Sequence, residues 1–296
     1  MTRSFTNRVF RFAPSSNGYL HLGHAYSALL NYDLAGETGG RFLLRIEDID
    51  TERCRPEFEQ AIYADLNWLG LSWEAPVRRQ SEHFPEYARA LAKLSAFGVT
   101  YPCFCSRGDI MNAVGKRDHW PRDPDGSPHY PGTCKHLTRE ERQRRLKADR
   151  PAALRIDMQA ALAKLGCQLA WHEIGPTSHI REVAADPAVW GDATLSRKDI
   201  PASYHIAVVV DDALQGVTDV VRGEDLFLTT SLHRLLQALL GLPAPLYRHH
   251  LLLRDASGRK LSKSLKAKSL RSMREDMLTP GDVRKQLSPA LPVTIL

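Results

Sequence analysis

The sequence lacks the features of a membrane or secreted protein. No apolar run among its 296 residues approaches the roughly 18 that a membrane-spanning helix needs. The N-terminus has neither the apolar core nor the cleavage site of a secretion signal. Internal repeats and low-complexity tails are also missing. We therefore expect a cytoplasmic protein that has no membrane partner.

Cysteine is scarce and unevenly placed. The five cysteines are an odd number at irregular spacings, which argues against a disulfide framework. Cys103, Cys105 and Cys134 gather in one stretch and suggest a metal site, although the other interpretation is that they are small buried groups. Structural zinc needs a fourth ligand, and imidazole is the commoner one. The nearby candidates are His119, His129, Tyr130 and His136.

Charge and apolar content are those of an ordinary globular protein. Hydrophobic residues make up 43% of the chain and charged residues 25%, and the length suffices for one large domain or two. The net charge of +6 mildly favours an anionic partner such as nucleic acid. From Arg259 to Lys285 there are nine Lys or Arg against three Asp or Glu, an excess as large as that of the entire chain.

The N-terminal segment predicts a strand, a sharp loop and a helix. Val9 to Phe12 fit a short buried strand, Pro14 and Gly18 interrupt it, and helical apolar spacing starts at Leu22. In an open parallel sheet, such turns face the crevice in which nucleotides bind against helix N-termini.

Two short motifs carry candidate chemistry. His21 and His24 share one face of the first helical turn, beside a Gly23 that leaves room for a flat base, which suits a nucleoside triphosphate. Lys260-Leu-Ser-Lys-Ser264 is a loop of small residues that holds two lysines. Each motif alone is weak, since a pair of histidines or a solvated basic loop is common.

The order of predicted elements indicates one sheet domain that is split by an insertion. Strands and helices alternate up to about residue 100, fail to alternate from 101 to 199, and alternate again from 200 to 296. We therefore divide the chain into 1–100, 101–199 and 200–296. The main predicted elements are strands at 41–47, 204–210, 217–222 and 246–253, and helices at 56–69, 85–97, 138–149 and 226–240. Residues 121–132, rich in proline, predict an irregular excursion.

Together the two motifs resemble a known family. His21-Leu-Gly-His24 and Lys260-Leu-Ser-Lys-Ser264 resemble the HIGH and KMSKS signatures of class I aminoacyl-tRNA synthetases, with Leu22 and Leu261 replacing the common Ile and Met. Flanking segments resemble the glutamyl/glutaminyl branch, namely Arg11-Phe-Ala-Pro-Ser15, Arg45-Ile-Glu-Asp-Ile-Asp50 and Val221-Arg-Gly-Glu-Asp225. The resemblance implies an α/β fold, a Rossmann-like doubly wound parallel sheet split by a zinc-containing α+β insertion that contacts tRNA.

The resemblance also implies roles for individual residues. Class I activation joins an amino-acid carboxylate to the α-phosphate of ATP, with Mg²⁺ on the phosphates. The implied catalytic residues are His21, His24, Lys260 and Lys263. The implied ATP contacts are His21, Gly23, His24 and Lys263, and the implied L-glutamate contacts are Arg11, Phe12, Ala13, Pro14, Ser15, Glu47, Tyr204 and Arg222. Without the family, Arg222 could instead pair with Glu224 or Asp225, and Tyr204 could be a core aromatic residue.

For the fourth zinc ligand, the resemblance implies a residue other than histidine. Zinc-containing members of this branch have a Cys-x-Cys pair, then a tyrosine and then a third cysteine, and Tyr130-Pro-Gly-Thr-Cys134 fits that pattern. The implied structural Zn²⁺ ligands are therefore Cys103, Cys105, Tyr130 and Cys134.

The short C-terminal stretch limits which members of this branch the chain resembles. Only 32 residues follow Ser264, fewer than the roughly 40 to 60 of a stable domain, whereas ordinary glutamyl-tRNA synthetases continue into an anticodon-binding body. The chain thus resembles the glutamyl-queuosine tRNA(Asp) synthetases, which consist of the catalytic half. That family implies tRNA-independent activation of glutamate and its transfer to queuosine in the anticodon loop of tRNA(Asp). We expect a monomer.

Three other interpretations compete with this one. The chain could be a minimal glutamyl-tRNA synthetase that charges the 3′ end of tRNA(Glu), or an inert tRNA-binding paralogue. It could also be a nucleotidyltransferase with a HIGH-type motif, although such enzymes are usually shorter and lack the zinc insertion. The roles of residues 116–127 and of the basic tail after Ser264 stay open.

Overall fold

Two β-sheets organise the protein in the computed structural model, which describes residues 7–115, 117–148, 150–175, 177–253 and 268–287. The strands are β1 (Val9–Phe12), β2 (Arg41–Ile46), β3 (Glu74–Arg79), β4 (Thr100–Cys103), β5 (Ala153–Ile156), β6 (Ala170–Ile174), β7 (Ile180–Ala184), β8 (Thr194–Ser196), β9 (Asp219–Gly223) and β10 (Leu246–His250). The helices are α1 (Leu22–Glu37), α2 (Pro56–Trp68), α3 (Phe84–Ala96), α4 (Arg107–Val114), α5 (Arg139–Lys147), α6 (Met158–Leu165), α7 (Tyr204–Leu214), α8 (Thr229–Leu240), α9 (Leu270–Glu275) and α10 (Pro280–Leu287).

The central sheet is parallel except at one edge. Its order is β3-β2-β1-β9-β10-β6-β7, and β7 alone among these strands runs antiparallel, to β6. The chain moves outward from β1 through β2 and β3, then returns to β9 on the other side of β1. This reversal of strand order between β1 and β9 opens a crevice at the carboxyl ends of the strands. The α/β class that the sequence predicts is confirmed.

Local signals set the bounds of the first helices, as predicted. Pro56 occupies the first turn of α2, where its missing N–H costs nothing. Gly70 and Gly98 follow α2 and α3 with positive φ angles of 78° and 73°, which an L side chain rarely adopts. The predicted strand at 41–47 and the strand at 217–222 are confirmed as β2 and β9, within one residue at most ends.

The strand predicted at 204–210 is wrong, because this segment begins helix α7. Its residues Ile206 to Val210 are all buried, between α3 and α8. A continuous apolar run is compatible with either a buried strand or a buried helix, and burial outweighs the β preference of three consecutive valines. The helix also carries Asp211 and Asp212 into contact with the arginines of β1 to β3.

Smaller differences concern element ends and the edge strand β3, which was not predicted. β3 has a polar sequence because it forms the exposed edge of the sheet. Without an apolar run, it could not be recognised as a strand from the sequence. α8 starts at Thr229 rather than 226, after a short 3₁₀ turn at Glu224–Leu226. β10 ends at His250, and residues 251–253 continue as an irregular segment.

The segment 101–199 contributes to both sheets. β4, β5 and β8 form the small antiparallel sheet, whereas β6 and β7 extend the central sheet beyond β10. Residues 121–132 contain no helix or strand, and α5 follows an N-cap at Thr138, both as predicted. The predicted domain boundaries at 101 and 199 stay a prediction. Two strands of this segment, β6 and β7, lie in the central sheet.

The two faces of the central sheet differ in chemistry. On one face, Phe10, Phe12 and Leu44 pack with α1, α2, α9 and α10 in an apolar core. On the other, Arg11 and Arg45 reach acidic groups of α7. None of the helices in the described ranges is long and apolar enough to cross a bilayer.

Candidate active site

A cleft of about 580 Å³ opens where β1, β2, β9 and β10 end. Those strand ends place polar side chains in one space, because the carboxyl ends of parallel strands meet at the same edge of the sheet. The cleft is lined by the residues predicted to contact glutamate together with the histidine motif: Arg11, Phe12, Ala13, Pro14, Ser15, His21, Gly23, His24, Glu47, Tyr204 and Arg222.

The histidine motif forms the N-cap of α1. His21 Nδ1 accepts a hydrogen bond from the Gly23 backbone N–H at 3.0 Å, and His24 Nδ1 accepts one from the His21 N–H at 3.2 Å. With Nδ1 as acceptor, each neutral ring carries its proton on Nε2. A Cβ on residue 23 would lie 2.9 Å from His21 Cε1, so any larger residue would displace the His21 ring from this cap. The two rings, 3.9 Å apart, therefore form a pair of N–H donors at a helix N-terminus.

Buried ion pairs form the floor of the cleft. Asp212 Oδ1 accepts from Arg11 Nε at 3.1 Å and from Arg45 Nη1 at 2.8 Å, and Arg45 Nη2 donates to Glu47 at 3.3 Å. Burial acts to raise the pKa of Asp212, but the two guanidinium groups outweigh it and keep that pKa below its usual value. Burial is also the largest influence on the pKa of Glu47. It raises that pKa, although the charges of Arg45 and Arg11 act to lower it.

Arg222 of β9 also lines the cleft. Its Nη1 donates to the Tyr204 hydroxyl at 3.5 Å and to His233 Nδ1 at 3.3 Å. Burial and the nearby Arg222 charge lower the pKa of His233, and they lower the pKa of His205, its neighbour, to about 4. Both imidazoles are therefore neutral around pH 7, so Arg222 faces acceptors rather than cations.

The predicted lysines Lys260 and Lys263 lie outside the described residues. The chain on either side of 254–267 does reach the cleft: Leu253 lines it, and Ser269 forms a β-bridge with His21. The Leu270 backbone N–H donates to the Leu20 carbonyl at 2.8 Å. Both flanks of the lysine motif are therefore close to the histidine motif.

A second cavity of about 710 Å³ adjoins the cleft on the side of the small sheet. The two cavities share Ser15, Asn17, Glu47 and Tyr204. Its far wall comes from the 101–199 segment and includes Asp123, Asp125, Ser127 and Tyr130. The described part of the 116–127 loop, whose role the sequence left open, therefore faces the cleft region.

The three clustered cysteines come together in the structure. The sulfur atoms of Cys103, Cys105 and Cys134 lie within 4.8 Å of one another, which suits a tetrahedral thiolate site. The Tyr130 hydroxyl is 3.3 Å from Cys105 Sγ, and its ring is stacked under the Arg155 guanidinium. His129 is engaged elsewhere, because its Nε2 contacts the Val189 carbonyl at 2.9 Å. The donor set present at the cluster is therefore three thiols and a phenol, and it fits zinc.

Two residues that line the cleft and one residue of the ion-pair network were not predicted from the sequence. Asp212 of the network follows a segment predicted as a strand, and the register of α7 that brings it to Arg11 depends on tertiary packing. His250 and Asp225 line the cleft itself. The position of His250 at the end of β10 and that of Asp225 just after β9 are the one signal that could have indicated them, because residues at the carboxyl ends of parallel strands tend to face the crevice.

Residues 8–287 match the family described as tRNA synthetases class I (E and Q), catalytic domain. The glutamyl-Q tRNA(Asp) synthetase of Rhodobacter capsulatus is 45% identical over 284 residues, which cover 94% of this chain and 98% of that protein. The glutamyl-Q tRNA(Asp) synthetase of Nitratidesulfovibrio vulgaris is 39% identical, with 89% and 80% covered.

The fold is similar to that of solved synthetases. The crystal structure of glutamate-tRNA synthetase from Elizabethkingia anophelis superposes with a TM-score of 0.72 at 28% identity, covering 88% of this chain. The match covers 53% of that synthetase, so the chain spans about half its length.

Proposed function

The chain belongs to the family of class I tRNA synthetases for glutamate and glutamine, a ligase family, and we propose that it activates L-glutamate with ATP and transfers it to queuosine in tRNA(Asp). The observation that carries this proposal is the single cleft that collects the predicted glutamate contacts and the histidine pair at the strand ends. The similarity over nearly the whole length of a glutamyl-Q tRNA(Asp) synthetase supports the choice of acceptor.

In the proposed first step, a carboxylate oxygen of glutamate attacks the α-phosphorus of ATP. A new O–P bond forms, the bond to the β-phosphate oxygen breaks, and pyrophosphate leaves. The substrate itself is the nucleophile, so the protein contributes alignment and charge neutralisation. His21 and His24 donate from Nε2 to phosphate oxygens, and the N-terminus of α1 adds its dipole. Mg²⁺ that arrives with ATP would neutralise phosphate charge.

The lysines complete the proposed phosphate site. Lys260 and Lys263 would place positive charge on the leaving pyrophosphate. The position of Leu253 and Ser269 at the cleft supports this role, because both flanks of the motif begin there.

The walls of the cleft account for the choice of amino acid. Arg11 and Arg222 offer two guanidinium groups, which match a carboxylate better than an amide. Glu47 is proposed to hold the α-ammonium, and Tyr204 adds a hydroxyl next to Arg222. Two arginines against one carboxylate favour glutamate over glutamine.

We also propose a structural Zn²⁺ held by Cys103, Cys105, Tyr130 and Cys134. Bound there, the ion would cross-link β4 to the loop before α5 and stabilise the small sheet. The proximity of the three sulfur atoms and the Tyr130 hydroxyl supports this ligand set.

The acceptor can be tested with labelled glutamate. We expect label on tRNA(Asp) that carries queuosine and none on queuosine-free tRNA(Asp). Label on the 3′ end of tRNA(Glu) would instead support a minimal glutamyl-tRNA synthetase, an alternative favoured by the likeness to glutamate-tRNA synthetase structures.

The activation step has its own test. Without tRNA, ATP–pyrophosphate exchange should require glutamate and should fall roughly 100-fold or more in Lys263→Ala, in keeping with the loss of one charge-stabilising group. Lys164→Ala, at an exposed position of α6, is the matched control. No exchange in the unmodified chain would support an inert paralogue.

A further inference from the structure

Arg222 is held from every direction in the cleft wall. The residue is 5% exposed, and the five N–H groups of its guanidinium each have an acceptor at 3.5 Å or less. The two longest bonds are those of Nη1, and the others fix the rest of the group. Their acceptors are His249 Nε2, the Leu226 carbonyl and Thr230 Oγ1. The Nη1 edge is therefore the edge that an incoming carboxylate can take over.

His249 can accept from Arg222 in one tautomer alone. Its Nδ1 lies 2.9 and 3.0 Å from the two carboxylate oxygens of Glu173, and its Nε2 lies 3.2 Å from Arg222 Nε. An ionised carboxylate only accepts, so Nδ1 carries the proton and Nε2 presents a lone pair. Burial is the largest influence on the pKa of His249 and lowers it, which favours this neutral ring.

Glu173 is buried and fully engaged. It lies on β6 opposite β10, is 4% exposed, and accepts from the His249 backbone N–H at 2.8 Å and from Trp171 Nε1 at 3.0 Å. These donors, with the His249 ring, keep the pKa of Glu173 below its usual value although burial opposes them. Such an arrangement resembles the carboxylate–histidine pairs that orient ligands in metal sites, with a guanidinium in place of the metal.

We propose that Glu173 and His249 are positioning residues that set the orientation at which Arg222 receives the side-chain carboxylate of glutamate. This inference rests on the proposed function. The N–H groups of Nη1 lie in the guanidinium plane, so a tilt of that plane turns them away from the incoming carboxylate and weakens glutamate binding more than ATP binding.

The test compares two substitutions of His249. Asn reaches Glu173 but has no atom at the Nε2 position, whereas the Gln amide oxygen reaches that position and can accept from Arg222. In ATP–pyrophosphate exchange we expect His249→Asn to raise KM for glutamate roughly tenfold or more with KM for ATP within about twofold. His249→Gln should recover most of that loss, and His172→Asn, at an exposed position of β6, should behave as the unmodified chain.

Glu173→Gln is a second, nearly isosteric test. Its amide nitrogen would face an N–H of His249 or of Trp171 whichever way it is turned. We expect a higher KM for glutamate and a weaker preference for glutamate over glutamine, with Glu182→Gln on the exposed face of β7 as the control. A fall in kcat alone, with both KM values unchanged, would contradict the positioning role.

A spectroscopic readout separates this inference from the proposed function. The ¹⁵N shifts of the His249 ring, assigned by their loss in His249→Gln, should show a neutral ring protonated at Nδ1 in the unmodified chain. A ring protonated at Nε2 would overturn the inference even if glutamate-dependent exchange is present. The inference would also be overturned by a second set of results. In that set the unmodified chain shows no exchange and a His249 ring protonated at Nδ1, and His249→Asn binds glutamate as the unmodified chain does.

Discussion

Single side chains in the cleft floor work as a balanced set of charges. Arg45 is fully buried and donates to Asp212, which also accepts from Arg11. Its other Nη atom donates to Glu47. Removing one member of such a set leaves an uncompensated buried charge, which costs far more than the pair contributes. The network therefore fixes Arg11 and Glu47, the two groups proposed to contact opposite ends of glutamate.

Glu47 should make glutamate binding depend on pH. Its pKa is raised in the free protein, so the carboxylate becomes protonated at a higher pH than an ordinary glutamate. Only the ionised form attracts the α-ammonium, so KM for glutamate should rise as the pH falls through that pKa. Glu47→Gln should raise KM roughly tenfold or more at neutral pH and abolish the dependence, since the neutral amide lacks the negative charge that pairs with the ammonium and does not titrate.

Pyrophosphate exchange measured between pH 5 and 8 checks this prediction. Glu52→Gln, an exposed substitution a few residues along the chain, serves as the control. An unchanged pH profile in Glu47→Gln would exclude the ammonium-binding role.

Between elements, α9 is tied to the body of the protein by an unusual contact. Asp65 of α2 is fully buried, and neither of its carboxylate oxygens has a hydrogen bond within the described ranges. Arg274 Nη2 of α9 lies 3.5 Å away. Because Ser269 at the start of α9 pairs with His21, this contact helps anchor the flank of the lysine motif. Burial raises the pKa of Asp65 to about 6.

The buried Asp65 carboxyl should therefore make the folded state less stable as the pH rises, because burial opposes its ionisation more than Arg274 favours it. A folded-state pKa above the unfolded value gives stability that is complete below the unfolded pKa and is lost as pH rises through about 6. Relative to Asp65→Asn, the unmodified chain should lose about 1 kcal/mol of unfolding free energy between pH 5 and 7.5. Urea unfolding at both pH values measures the difference, and the exposed Asp118→Asn should show none.

At the scale of the whole molecule, the two sheets carry different candidate sites. The cleft is built almost entirely from the central sheet and its loops, and the cysteine cluster lies in the part that carries the small sheet. The second cavity lies between them and shares Glu47 and Tyr204 with the cleft. Damage to the cluster should therefore affect contacts with a large acceptor more than chemistry on small substrates.

Loss of zinc tests this division. Elemental analysis should find one zinc per chain, and Cys134→Ser should abolish most of it, because the remaining donors are too few for a tetrahedral site. We expect a lower Tm and roughly tenfold less transfer to tRNA, with glutamate-dependent exchange reduced about threefold or less. Cys167→Ser, at an exposed thiol, is the control. Unmodified protein without zinc would contradict the ligand assignment.

Features set by neighbours along the chain were predictable, and features set by the assembled layers were not. Helix caps and stops were predictable because they depend on neighbours along the chain, as for Pro56 and Gly98. The polar edge strand β3 and the buried helix α7 were not, since exposure and burial are set by the assembled layers. Most of the candidate site was anticipated through resemblance rather than through local physics, and Asp212 was missed because its role depends on the register of α7.

The sequence by itself determined the strand–loop–helix turn around His21, the alternation that makes an α/β protein and the clustering of three cysteines. Each follows from interactions between residues close along the chain. Only the tertiary structure decided that β6 joins the central sheet beside β10 and that Glu173 holds His249 from 76 positions away. Contacts of that range arise from the packing of whole strands, which no local pattern encodes.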